Sequence, residues 1–176
     1  MAEKVLRIGG ASGFWGDAAR ATPQLLAADG LDYIVYDYLA EITMSIMARA
    51  RAKDDSRGYA LDFVSAAMQP NLGTIAERGI KVISNAGGVN PLACAEALRA
   101  VIAEQGLELK VACVVGDDLT TRASQLESAG HTEMFSGEAF PAAEKLQSIN
   151  AYLGAFPIAR ALELGADIVV TGRCVD

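Results

Sequence analysis

The short apolar runs restrict the fold of this chain more than any other feature. Residues 5–8, 33–36, 81–83, 111–115 and 167–171 are nearly continuous in apolar and β-branched side chains. A strand with one wet face alternates apolar and polar residues. A continuous run belongs to a strand covered on both faces, as in a parallel sheet between helices. A further strand is expected at 149–153. Between the runs lie stretches of helical period. Residues 91–104 place Leu92, Ala95, Leu98 and Ile102 on one face. Asn90 stands where a cap is needed, and Pro91 suits the first helical position because its missing N–H would be unpaired there. Gly106 and Gly165 stand where helices stop. Helices are also predicted at 155–164, at 121–128, and at 39–52 with Ile42, Met44, Ile46 and Met47 buried. Another is predicted at 59–68, ended by Pro70.

Strand–helix alternation implies βαβ units with right-handed crossovers, so the strands run parallel. The expected fold is a single three-layer α/β domain over residues 1–176 with a mainly parallel, Rossmann-like sheet. An incomplete (β/α) barrel is the alternative. In both, ligands gather at the C-terminal ends of the strands. The last strand has only five residues after it. This predicts a final strand without a covering helix, a chain truncated relative to a longer protein, and marginal stability in isolation.

Composition narrows the partners. Of the 176 residues 52% are hydrophobic, enough for a core, and the formal charge is −7. Duplex binding needs a basic face, so nucleic acid is excluded as a partner. Three cysteines without a CxxC pair point to free thiols in a reducing compartment. Cys94 and Cys113 are expected in the core. One histidine, His131, with scattered cysteines does not make a structural zinc site, and no metal is assigned. No run reaches the ~18 apolar residues of a membrane span. Met1–Lys4 lacks the basic lead of a secretory leader. The expectation is a cytoplasmic protein with a small-molecule substrate and no membrane partner.

Glycines and small polar residues collect after the strands. The first such loop holds Gly9, Gly10, Ser12, Gly13, Phe14, Trp15 and Asp17. Gly10 and Gly13 fit the second half of a GxGxxG dinucleotide fingerprint, but Ile8 stands where the first glycine belongs. Asp37, near the end of the second strand, is where the ribose-binding acid of that fingerprint would fall. The loop is either a ligand cradle walled by Trp15 or a tight turn that binds nothing. The third strand leads into Asn85, Gly87, Gly88 and Asn90. Adjacent glycines permit positive φ, and a helix N-terminus there could receive a carboxylate, phosphate or thioester oxygen. The other reading has both asparagines serving only the turn and the cap. Asp37 and Glu41 would share a face if a helix began near Asp37, and could act as acid and base or hold a cation. Asp117 and Asp118 are a second acidic pair, Asp118 reading best as a helix-start acid. Arg173 could clamp a carboxylate with its planar fork. Cys174 beside it could act as a nucleophile, with His131 the one imidazole in the sequence to activate it. Arg49, Arg51, Lys53 and Arg57 read as a solvated helix end.

Four blocks in order resemble the acyclic terpene utilisation (AtuA) family: residues 7–17, 31–47, 80–91 and 166–176. The resemblance spans essentially the whole chain. It implies a part of the N-terminal domain of a longer protein, sometimes ending in a small ferredoxin-like domain. It also implies a role in bacterial breakdown of acyclic terpenes such as citronellol and geraniol, through acyl-CoA esters. It carries no established catalytic residues onto these positions. The leading expectation is therefore an enzyme acting on an acyl-CoA or branched carboxylic intermediate. Residues 9–17 and 85–90 would cradle its anionic group, Asp37 or Glu41 would move a proton, and Arg173 would clamp. No cofactor is assigned; a CoA thioester enters as substrate. A non-catalytic subunit that binds a partner enzyme or a ligand of the same pathway is the second reading; the expected protein partners are a second copy, in a homo-oligomer, or a pathway enzyme. A nucleotide-dependent oxidoreductase is the third.

Overall fold

The computed structural model describes residues 5–175. Met1–Lys4, where a secretory leader would begin, and Asp176, the last residue of the fourth block, lie outside the described residues. Five parallel strands form one open sheet: β1 (Ile8–Ser12), β2 (Tyr33–Tyr36), β3 (Lys81–Ser84), β4 (Val111–Val114) and β5 (Ile168–Thr171), in the order β1-β2-β3-β5-β4. Helices α1 (Ala18–Leu26), α2 (Glu41–Arg51), α3 (Leu72–Arg78), α4 (Pro91–Glu104), α5 (Ala123–Ser128) and α6 (Phe156–Glu163) connect them, with a π-helical turn at Phe63–Met68. Among the described residues no helix is long and apolar enough to cross a membrane.

The sheet is covered unequally. On one face Ile34, Tyr36, Val82, Ile168 and Val170 pack against α1, α2, the π-turn and α4. On the other, Val114 and Val169 meet Ile158, Ala161 and Leu162 of α6. The chain steps outward from β1 to β4 beneath the first layer, then returns through α6 to insert β5 between β3 and β4. A reversal of travel with a change of face is what uniform right-handed crossovers demand. Ile8 and Gly10 of edge strand β1 remain exposed on the α6 face.

Several expectations need correcting. The first strand is 8–12, not 5–8. Gly9 and Gly10 pair with Ile34 and Val35, so they are strand residues rather than loop. A Cβ at Gly9 would lie 2.9 Å from Leu25 of α1, and the glycine lets the helix sit close. Helices α1 and α3 were not anticipated. Helix α2 begins at Glu41, so Asp37 is off it, and Ile42 and Ile46 face solvent while Met44 and Met47 are buried. In α4, Leu92 is exposed while Ala95, Leu98 and Ile102 are buried. Residues 149–153 make single bridges, not a strand. Cys94 is buried as expected, but Cys113 is only partly so. The final strand is the best covered of all: Ile168, Val169 and Val170 are fully buried, because β5 lies inside the sheet between two helical layers.

Candidate functional site

Of the recesses at the C-terminal edge of the sheet, two hold predicted site residues of interest: one has Glu41 and Arg173, the other Asp37 and Asn85. The larger, about 450 Å³, lies between α2 and the returning segment 145–152. Glu41, Met44, Ser45 and Arg49 line it from α2, Lys145, Leu146 and Tyr152 from the segment, and Arg173 from the end of β5. Tyr152 donates its hydroxyl to Glu41 Oε1 at 2.9 Å. The Arg173 guanidinium lies 4.0 Å from the Tyr152 ring centroid, a cation–π contact. It also donates to the Cys174 carbonyl at 3.0 Å. Among the described residues that line the cleft, Arg49, Lys145 and Arg173 are the cations and Glu41 the carboxylate. A hydrogen-bonded carboxylate and phenol can pass a proton, while fixed cations hold an anion.

Asp117 builds this cleft. It is buried, and its Oδ2 accepts from Asn150 Nδ2 at 2.9 Å and from the Arg173 backbone N–H at 2.8 Å. Its carbonyl accepts from Ala151 N–H at 2.7 Å. A Cβ at Gly172 would lie 2.5 Å from the same carboxylate, so only glycine lets the strand end approach it. One aspartate therefore holds both the Tyr152 segment and Arg173 in place. Arg51 donates to the Val89 carbonyl and pairs with Asp118 at 3.6 Å, tying α2 to the same wall. Asp118 itself accepts from Thr120 N–H, a local turn bond. The basic cluster is thus only partly a solvated helix end: Arg49 lines the cleft, Arg51 pairs with Asp118, and Arg57 pairs with Asp54.

The smaller recess, about 310 Å³, sits over the ends of β2, β3 and β5 and is lined by Val35, Asp37, Ile83, Asn85, Ile158, Thr171, Cys174 and Val175. Asn85 accepts from Tyr38 N–H and donates to Asp37 Oδ1, both at 2.7 Å. Asp37 and Glu41 therefore belong to different recesses and do not form one acid–base pair.

The loop that follows β3 is buried and filled by protein. A Cβ at Gly87 would lie 2.5 Å from the Thr171 carbonyl, and one at Gly88, whose φ is +55°, 2.3 Å from Met47 Sδ. Their small size serves packing of the loop between α2 and β5. Asn90 caps α4 through Ala93 N–H at 3.4 Å and donates to the carbonyls of Asp55 and Arg57. The first loop is more open, with Gly13 and Phe14 exposed, but several of its polar groups bond within the protein. Ser12 donates to the Asp37 carbonyl, Gly13 N–H to Asp17, and Trp15 Nε1 to Asp62 at 2.6 Å. Asp17 Oδ1 and the Tyr38 hydroxyl are buried without a hydrogen-bond partner among the described residues. Burial, with Asp62 and Asp17 nearby, pushes the Tyr38 phenol well above its ordinary range. A dinucleotide fingerprint follows a strand at the sheet's switch point, whereas β1 is an edge strand. His131 lies in an exposed irregular stretch. Among the described residues no group of His, Cys, Asp and Glu is arranged to hold a metal ion.

Sequence reading missed Tyr152, Lys145 and the structural part of Asp117. The helical stretch at 121–128 is legible, but nothing in 129–155 signals the return of the chain to α2.

A family model described as acyclic terpene utilisation family protein AtuA matches residues 6–176. No curated protein and no solved structure matches the chain.

Proposed function

The chain belongs to the acyclic terpene utilisation (AtuA) family, and from that premise and the geometry of its larger recess we propose that it is an enzyme acting on the carboxylate or acyl-CoA form of a branched acyclic acid. The observation that carries the reading is the meeting of Glu41, Tyr152 and Arg173 in one cleft of about 450 Å³. Arg49, Lys145 and Arg173 supply the positive potential for the anionic end. Met44, Ala48 and Leu146 supply apolar wall for a branched chain. In this reading Tyr152, hydrogen-bonded to Glu41, gives or takes a proton at the carbon next to the acyl group, with Glu41 as the other end of the relay. Arg173 acts by charge and by orienting Tyr152, since part of its fork is used on the Cys174 carbonyl.

The test is turnover of a branched acyclic acyl-CoA and of its free acid by the wild type, Tyr152→Phe and Glu41→Gln. Loss of ~10²-fold or more in kcat in both variants, with KM little changed, supports the assignment. Equal turnover in all three proteins overturns it. Tight binding without turnover by the wild type would favour a non-catalytic subunit.

A further inference from the structure

The recess over β2, β3 and β5 has walls and a floor of different chemistry. Val35 and Ile83 rise from the sheet, Ile158 comes from α6, and Val175 closes one side. The polar groups at its end are mostly committed to the protein. Asn85 uses its oxygen on Tyr38 N–H and its nitrogen on Asp37, Ser84 Oγ accepts from Ala86 N–H, and the Thr171 hydroxyl donates to the Gly172 carbonyl. Asp37 is the exception. Its Oδ1 takes Asn85 Nδ2 at 2.7 Å and Leu39 N–H at 3.3 Å. Its Oδ2 has no hydrogen-bond or ion-pair partner among the described residues. Asp37 is half-buried, and this oxygen stands beside the apolar walls with no cation among the described lining residues, open to a donor brought into the recess.

We infer that this recess is a second binding site, separate from the cleft, for a small apolar molecule ending in a hydrogen-bond donor, a hydroxyl or an ammonium group. The apolar body fills the space between Ile83 and Ile158, and the donor end meets Asp37 Oδ2. A carboxylate end is repelled there, so the two recesses have opposite charge preference: anions in the α2 cleft, donors at Asp37. At about 310 Å³ the space admits a chain of several carbons. The inference does not rest on the enzymatic reading of the cleft.

The experiment uses the full chain with methyl-labelled Val and Ile, titrated with 1-pentanol, pentylamine and pentanoate. The expected result is saturating shifts at Val35, Ile83 and Ile158 with the alcohol or the amine. Pentanoate should be at least roughly tenfold weaker at those methyls. Whichever of alcohol and amine binds more tightly identifies the donor. Asp37→Asn, which keeps an oxygen for Asn85, should lose most of the discrimination against pentanoate. Ile158→Trp, on the surface layer, should fill the space and abolish the shifts while leaving the spectrum folded. Equal binding of pentanol and pentanoate, unchanged selectivity in Asp37→Asn, or no shift with either donor up to its solubility limit would overturn the inference. Failure of cleft turnover would leave these outcomes unchanged, so the two readings fail separately.

Discussion

The two recesses share one sheet edge yet are built by different parts of the chain. The smaller takes its wall from strand residues and their immediate successors: Val35, Asp37, Ile83, Asn85 and Thr171. The larger takes its wall from a helix after β2, a returning segment more than thirty residues beyond β4, and Arg173, two residues past the end of β5. Parallel strands place the first kind of site automatically, because their ends lie side by side. The second kind exists only if a long connection is fastened at the correct place. Asp117 does the fastening, and it is the position at which the comparison between the recesses breaks most easily.

Asp117→Ala carries the largest expected effect. It strands the Asn150 amide and the Arg173 N–H without their buried acceptor, and should cost about 3 kcal/mol of stability in urea unfolding. In the fraction that stays folded, the cleft residues Tyr152 and Arg173 should shift while Val35 and Ile83 keep their native methyl positions. Displacement of both sets together would mean that the recesses are one cooperative site. Next is Gly88→Ala, which puts a methyl on a residue at φ +55° and against Met47 and the Gly58 carbonyl. A loss of about 2 kcal/mol is expected by the same assay, reported through α2 and hence through the cleft. Wild-type stability there would show that Met47 yields freely.

Asp167→Asn should have a smaller effect, at the opposite end of the sheet. Asp167 accepts from Lys81 Nζ at 2.6 Å and from the Lys110 backbone N–H at 2.8 Å. Burial opposes its charge, but the Lys110 N–H and Lys81 prevail and hold the carboxyl below its ordinary range. A lowered folded pKa contributes stability that is complete above the ordinary carboxylate range and is lost as pH falls through the folded value. The variant should therefore be less stable by on the order of 1 kcal/mol at pH 7, with the gap closing toward pH 3. A gap independent of pH would contradict the ion-pair account. Both recesses should bind as before. The smallest perturbation is chemical labelling. Cys94 is fully buried, and burial pushes its thiol far up, so it should resist an aromatic disulfide reagent until unfolding. Cys174, partly exposed at the rim of the smaller recess, should react in the folded protein. The reverse order would mean that the smaller recess is closed in solution.

What could be read from the sequence follows the same division. The parallel sheet was legible because continuous apolar runs carry their own signal, and α4 was legible to the residue because Asn90, Pro91 and the apolar period agree. The position of Asp37 and Asn85 at the sheet's C-terminal edge was legible because they stand directly after strands. The β1 boundary was misplaced because Gly9 and Gly10 look like loop, although an edge strand tolerates them when a helix packs closely. The glycines of the buried loop after β3 suggested a cradle, but sequence does not distinguish space kept for a ligand from space filled by Met47 and Thr171. Tyr152 was invisible as a site residue, because its meeting with Glu41 spans 111 positions and depends on one buried hydrogen-bond acceptor.

Binding of a short branched carboxylate, followed by calorimetry in the wild type and in Arg173→Met, tests the cleft most directly. The account predicts saturable binding that weakens by roughly tenfold or more in the variant and that falls off with added salt. Affinity unchanged by the loss of Arg173, or binding that maps to residues 9–17 instead of the wall formed by Glu41 and Tyr152, would contradict it.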